Sequence, residues 1–335
     1  VESEKRKKVL VIKLCCLGDI VQTTPALRAF HEAGLEVHLL CSKWVKDIAG
    51  MVPFIDKTHV IDAGNPLSAA AALFRMRREK FDIAVNFHRD LKSFIFMKLA
   101  GARLTAGFEW KGSGGMVDRA FKFNPDIHET QRYLSVARGL GFKTDNEYTQ
   151  LSAVPSELDG ASGRLKIGIF PAGGSNPGTV MPTKIWPAEK FNALIRMLEE
   201  NNAAVYAFGS VQDRPSVENA VKGTGAKIMI TRAIGEFASY AAGLDAFVAS
   251  DTGPLHIAAA LGIPAIGIFG PTSPEHFGAR GKKSVNLRES GACLDSPCCE
   301  PGTFHKRKFL DCADNICMKA VTPEKVFGAI MESLK

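Results

Sequence analysis

Asp245–Pro271 reads DAFVASDTGPLHIAAALGIPAIGIFGP. An apolar strand over Ala246–Ala249 meets the polar turn Ser250-Asp251-Thr252-Gly253, which opens a helix running to about Leu261. Gly262 stops that helix, and a second apolar strand follows over Pro264–Phe269. Strand, helix and strand in this order form one unit of a parallel sheet. The polar helix N-terminus, with its unpaired N–H groups and the positive end of the macrodipole, favours an anion. Asp251 or Thr252 is placed to cap the helix, and Pro254 falls in the first turn, where a missing N–H costs little. His256 lies in the same turn, close to whatever the helix end binds.

The same alternation extends to both sides. Towards the N-terminus, Lys8–Leu14 (KVLVIKL) is a continuous Val/Ile-rich run of the kind buried on both faces of a parallel sheet. The loop Cys15–Asp19 and a helix over Ile20–Glu32 follow it. Further strands are expected at Glu36–Cys41, Lys57–Ile61, Phe81–Phe87 and Arg103–Gly107, with helices at Trp44–Met51, Pro66–Glu79 and Leu91–Ala100. Glu109–Pro125, rich in glycine and of mixed charge, reads as a mobile loop, and His128–Leu140 as a helix. Gly141–Gly163 is polar and reads as a linker. Strands at Leu165–Phe170, Ala203–Phe208 and Lys227–Ile230 then alternate with helices up to the opening stretch. The expected fold class is therefore α/β, with two doubly wound halves. The domains are expected at 1–155 and 164–320, with a final helix at 321–335.

Composition agrees with a globular chain: 335 residues, 46% hydrophobic and 23% charged, can bury a sizeable core. No apolar run is long enough to span a bilayer, and the charged start Val1–Lys8 has no signal-peptide pattern. The expectation is a cytoplasmic protein. A net charge of +7 suits an anionic partner without choosing one. No basic stripe interleaved with stacking aromatics supports nucleic acid as that partner.

Several strand ends carry chemistry. Gly18 and Asp19 follow the first strand, where open α/β sheets bind ligands, but GxGxxG is absent and a dinucleotide fingerprint is not supported. For Asp19 the alternative is a helix cap. His88 and Arg89 lie just past the Phe81–Phe87 strand. Pro171–Gly178 (PAGGSNPG) follows a strand as well, and Gly173, Gly174 and Ser175 can bring backbone N–H groups close to a diphosphate. Five of the eight cysteines, Cys293, Cys298, Cys299, Cys312 and Cys317, fall within 25 residues, with His305 among them. They supply enough thiols for a tetrahedral zinc site, although the spacing is not that of a zinc ribbon, and reduced structural thiols or a disulfide are the alternatives.

The run Ser250–His256, with Ala258–Gly262 and Gly270-Pro271-Thr272, resembles the signature of glycosyltransferase family 9, the ADP-heptose:lipopolysaccharide heptosyltransferases. Leu17–Leu27 (LGDIVQTTPAL) resembles its second signature, and Lys184-Ile185-Trp186-Pro187 its Lys-x-Trp-Pro motif. The resemblance implies GT-B architecture, in which two Rossmann-like domains face a cleft, with the final helix packed back on the first domain. It implies an inverting, metal-independent transfer of heptose from an ADP-sugar to a lipid-linked saccharide acceptor at the inner membrane surface. Donor contacts would come from Gly173, Gly174, Ser175, Gln212, Asp213, Asp251, Thr252, Gly253 and His256. Lys184 would neutralise the leaving diphosphate, Asp19 would be the base, and Gly18, His88 and Arg89 would lie on the acceptor side. No catalytic cofactor is expected, and a structural zinc at the Cys-rich tail is the one metal in view. A sugar-nucleotide epimerase and a non-catalytic binding protein are the rival readings.

Overall fold

The computed structural model describes residues 6–62, 64–109, 115–173, 175–176, 179–301 and 312–335. The chain divides into two compact units, Val1–Leu151 and Ser152–Lys335.

In the first unit the strands are β1 (Lys8–Ile12), β2 (Glu36–Ser42), β3 (Lys57–Ile61), β4 (Ile83–Asn86), β5 (Leu104–Phe108) and β6 (Arg119–Phe121). The helices are α1 (Leu17–Glu32), α2 (Lys46–Ala49), α3 (Pro66–Glu79), α4 (Leu91–Ala100) and α5 (Glu129–Gly139). The six strands pair in parallel in the order β3-β2-β1-β4-β5-β6. Leu10, Ile12, Leu40, Met76, Phe81 and Phe94 fill one face of this sheet. The order reverses between β1 and β4, and ligands of open α/β sheets bind at the carboxyl ends beside such a reversal.

The second unit repeats the plan. Its strands are β7 (Leu165–Phe170), the short antiparallel pair β8 (Ser175–Asn176) and β9 (Thr179–Val180), β10 (Ala203–Gly209), β11 (Lys227–Ile230), β12 (Ala246–Ser250), β13 (Ala265–Ile268) and β14 (Ser284–Leu287). Its longer helices include α6 (Ala188–Glu200), α7 (Arg214–Ala220), α8 (Ile234–Ala241) and α9 (Gly253–Ala260). The main sheet runs β11-β10-β7-β12-β13-β14, all parallel, and reverses at β7 and β12.

Two expectations are corrected here. Glu109–Pro125 is not only loop, because Arg119–Phe121 forms the sixth strand of the first sheet. Three residues on a half-exposed edge are too few to display a period. The polar 141–163 stretch divides at Leu151. Its first half is held by the first unit, through Gln150 N–H to Thr24 Oγ1 at 3.1 Å. Its second half is held by the second unit, where the Tyr206 hydroxyl donates to Asp159 O at 2.8 Å. The C-terminal helix Pro323–Ser333 packs on α6, and Val326 and Ile330 are fully buried in the core of the second unit. The apolar face of this helix is covered, by a burial worth about 1.5–3 kcal/mol per aliphatic side chain.

Candidate functional site

At the sheet reversal of the second unit three elements converge. β12 ends at Ser250, and Asp251 and Thr252 lead into α9. The segment after β7 returns through a short 3-10 turn, Pro182–Lys184, which delivers Lys184 to the same place. Lys184 Nζ lies 2.6 Å from Asp251 Oδ2, and His256 Nε2 lies 3.4 Å from Asp251 Oδ1. All three side chains are more than nine-tenths buried. Burial alone would raise the carboxyl pKa of Asp251, but the Lys184 charge and the His256 hydrogen bond overcome it and hold Asp251 well below the usual carboxylate range.

This arrangement corrects the capping expectation. Thr252 is the N-cap residue of α9, and neither it nor Asp251 caps the helix through its side chain. The Asp251 carboxylate is committed to Lys184 and His256, while Thr252 Oγ1 donates to Ser250 O at 3.1 Å. The helix end at Gly253 thus keeps backbone donors for another anion. In the same unit the hydroxyls of Thr183, Ser250 and Thr272 are buried without a hydrogen-bond partner among the described residues. Orphaned buried hydroxyls need an account, and a polar ligand supplies one. In the sequence, Ser250 and Thr272 fall within the family-like signature without a role for either hydroxyl, and Thr183 is not singled out.

Of the other donor-side candidates, Gly173 is buried and turned towards the Lys184 segment. A Cβ there would lie 2.6 Å from Met181 O, so only glycine allows the approach. Gly174 lies outside the described residues, and Ser175 belongs to β8. Gln212 is exposed after β10. The Asp213 carboxylate instead accepts from Ser210 N–H at 3.0 Å and Ser210 Oγ at 2.6 Å, and this fixes the loop rather than capping α7.

In the first unit, Gly18 and Asp19 sit in the first turn of α1, behind the N-cap Cys16, whose φ of +71° is unusual for a non-glycine residue. Asp19 Oδ2 is 2.8 Å from the buried ammonium of Lys13. Burial would lower the Lys13 pKa, but Asp19, Tyr133 and Glu129 raise it well above its ordinary value. Lys13 Nζ lies 5.3 Å from the centroid of the Tyr133 ring, and the Tyr133 hydroxyl donates to Glu129, which also pairs with Arg132 at 2.6 Å. Lys13, Glu129 and Tyr133 were not foreseen as a group. The local signal was a lysine inside an otherwise apolar run.

His88 braces the strand end at which it sits. Its Nε2 accepts the Leu14 N–H at 2.5 Å, tying the end of β4 to the loop after β1. Burial first, and then the Lys13 charge, pushes its pKa down to about 3, so the ring stays neutral in its bracing role. Arg89 lies over the Phe123 ring, 3.6 Å from its centroid.

Two groups of metal-capable side chains stand out among the described residues: Cys15, Cys16 and Asp19, and His38, His59 and Glu79. Glu79 already pairs with Lys8 at 2.6 Å and with Lys57, cations that compete with any ion there. Of the tail cysteines, Cys293, Cys298, Cys312 and Cys317 line one cavity of about 300 Å³. Cys299 is fully buried and does not line that cavity, and its backbone N–H donates to Pro271 O at 2.9 Å.

Two Rossmann-like units, each with a polar cluster where its parallel sheet reverses, define the GT-B class of nucleotide-sugar enzymes. Residues 70–303 match the profile of glycosyltransferase family 9 (heptosyltransferase), and the chain belongs to that family. It is 24% identical to lipopolysaccharide heptosyltransferase 1 of Pseudomonas aeruginosa, over 95% of this chain and 96% of that protein. Lipooligosaccharide heptosyltransferase 2 of Haemophilus influenzae is 26% identical over 84% of this chain and 88% of its own. Among solved structures, a family 9 glycosyltransferase from Veillonella parvula superposes with a TM-score of 0.80 at 19% identity, covering 98% and 97% of the two chains. An E. coli heptosyltransferase with ADP gives a TM-score of 0.75 at 19% identity, covering 97% and 99%.

Proposed function

We propose that this chain transfers heptose from ADP-heptose to a lipopolysaccharide core acceptor with inversion at the anomeric carbon. The observation that carries this reading is the buried Lys184–Asp251–His256 cluster at the open N-terminus of α9, set within the residues that match the family. In the reaction an acceptor hydroxyl attacks the anomeric carbon, the bond from that carbon to the diphosphate oxygen breaks, and the hydroxyl proton passes to a base. Charge accumulates on the leaving diphosphate, and an ammonium with backbone N–H groups in a dry site stabilises it best. Lys184 and the Gly253 helix end supply those groups, so the transfer is expected to run without a divalent ion. Inversion requires the acceptor to approach from the face opposite the diphosphate. The base is therefore sought outside the donor cluster, and Asp19 is assigned to it.

The expected result is selective stabilisation: ADP at a hundred times its dissociation constant adds about 2.7 kcal/mol, seen as a thermal shift larger than UDP or GDP produces. Transfer to a core acceptor, read by mass spectrometry, should persist in EDTA. A preference for UDP, or interconversion of free nucleotide-sugars without acceptor, would move the reading to the epimerase alternative.

The acceptor class also bears on where the protein works. No described helix is long and apolar enough to cross a membrane. Yet α3 and α4 pack side by side and leave Leu67, Phe74, Leu91, Ile95 and Leu99 exposed. Arg75, Arg77, Arg78, Lys92 and Lys98 lie on the same two helices and are exposed as well. Apolar side chains ringed by cations fit an anionic phospholipid surface, and we infer that this face rests on the inner face of the cytoplasmic membrane. Vesicles with about a third anionic lipid should sediment the wild type. Phe74→Ser/Ile95→Ser should remain in the supernatant with its transfer to a soluble acceptor intact, and equal sedimentation of both proteins would refute the assignment.

A further inference from the structure

We propose that Cys15 and Cys16 form a peroxide-reactive pair at the turn into α1, in which Cys15 is oxidised to a sulfenic acid and Cys16 closes on it as a disulfide. The two residues stand between β1 and α1, at the strand end beside the sheet reversal of the first unit. In an extended chain successive side chains point to opposite faces, so adjacent cysteines diverge. Here Cys16 takes φ +71° and ψ 121°, a conformation that few non-glycine residues adopt. The turn gathers both sulfurs and an Asp19 carboxylate oxygen within 4.8 Å of one another. Both thiols are free and only half-buried, within reach of a small oxidant.

A thiol pair can hold a metal or exchange electrons, and the surroundings favour the second. The Lys13 ammonium, 2.8 Å from the Asp19 carboxylate, would meet a metal cation with like charge. The same ammonium supports a thiolate. The Cys16 hydrogen bond first, and then the Lys13 charge, outweigh burial and the acids Asp19 and Asp90 and hold the Cys15 pKa below its ordinary value. Cys16, which donates that bond, is raised by it and by burial and stays a thiol. Burial pushes Cys41, Cys298 and Cys317 up as well. A thiolate beside a protonated resolving thiol is the arrangement of a redox-sensing cysteine. The cysteines of the tail take no part, and His305 among them lies outside the described residues.

The electrons balance over two steps. The Cys15 sulfur attacks one oxygen of hydrogen peroxide, the O–O bond breaks, and the departing hydroxide takes up the proton that Cys15 gave up. The Cys16 sulfur then attacks the Cys15 sulfur, the S–O bond breaks, and hydroxide leaves with the Cys16 proton as a second water. Two thiols become one disulfide, and one peroxide becomes two waters. Consecutive Cα atoms lie about 3.8 Å apart, short of the roughly 4.4–6.8 Å that disulfides span. The closed ring is therefore strained, and a thiol reopens it readily. Closing it must also shift the turn from which α1 starts, and α1 carries Asp19. The effect on transfer rests on the reading of Asp19 as base; the oxidation itself does not.

The tryptic peptide Leu14–Arg28 holds Cys15 and Cys16 and no other cysteine. After hydrogen peroxide the purified chain should yield this peptide lighter by two hydrogens, and dithiothreitol should restore it. Cys16→Ser, with no thiol to close the bond, should give a sulfenic acid at Cys15 that dimedone traps, and Cys15→Ser should give neither product. An unchanged peptide at a peroxide dose that oxidises the exposed Cys312 would overturn the proposal, and so would a dimedone adduct in Cys15→Ser. Oxidised wild type should lose about a hundredfold in turnover, the cost of misplacing a reacting group by about an ångström. Dithiothreitol should restore it, and peroxide should leave Cys15→Ser active. Equal loss in wild type and Cys15→Ser would sever the pair from transfer, while the peptide masses are read without a transfer assay and so do not depend on the base assignment.

Discussion

Asp19→Asn is expected to lower the turnover of heptosyl transfer by about a hundred- to ten-thousandfold while leaving donor affinity near wild type. The substitution keeps the shape of the side chain and removes only its ability to take a proton. Asp19 occupies the third position of α1, behind the N-cap, so replacing its charge forfeits a helix-dipole contribution of about 0.3–1 kcal/mol and no more on that account. Lys13 loses its nearest anion but keeps Glu129 among its neighbours, which limits the damage to the fold. The donor-side cluster belongs to the other unit and should be untouched. Steady-state kinetics with a separate ADP titration test this directly. Normal turnover in Asp19→Asn ends the assignment as base, and a parallel loss of ADP binding would point to a structural role instead.

The second large effect concerns stability. Asp251→Ala leaves the Lys184 ammonium buried without its carboxylate, and breaking a buried pair in this way costs about 3–5 kcal/mol. The sign of the pH effect follows from the depressed carboxyl. Stability from this group is fully present above the unfolded value near 3.9 and is lost as pH falls through the folded one, so the variant should show its whole deficit at neutral pH. Lys184→Met added to Asp251→Ala removes the uncompensated charge and should restore part of the stability. ADP binding should stay weak in both variants, because the charge that meets the diphosphate is gone or misplaced. Equal denaturation midpoints for wild type and Asp251→Ala would show that the pair contributes nothing to the fold.

Long apolar runs made most of the architecture readable in the sequence. Helices α3 and α4 fall where hydrophobic periodicity places them, Pro66–Glu79 and Leu91–Ala100, and the strand–helix–strand unit at Asp245–Pro271 follows from Gly262 and two apolar runs. Edge strands were not legible: Arg119–Phe121 and Ser284–Leu287 are short and half-exposed, so neither period nor burial marks them. Residue types at the site were legible, but their partners were not. Asp251 looks like a cap until Lys184, 67 residues earlier in the chain, claims its carboxylate. His88 stands at a strand end in the sequence, and only the fold shows that its ring accepts the Leu14 amide, 74 residues away. Local pattern names candidates, whereas tertiary pairing decides which of them remain available.

The tail has a bearing on how the chain is made. Gly270 at the end of the β13 segment leaves room for no side chain, because a Cβ there would lie 2.6 Å from Met318 Sδ and 2.9 Å from Cys317 Sγ. Met318, Val321, Val326 and Ile330 form one wall of the second core. During synthesis these residues leave the ribosome after every strand of that sheet, so the second unit cannot close its interior until they arrive. The first unit, complete by Leu151, has no such wait and can fold while the rest is still being translated. Nascent chains stalled before residue 316 would hold a finished first domain and an open, chaperone-dependent second.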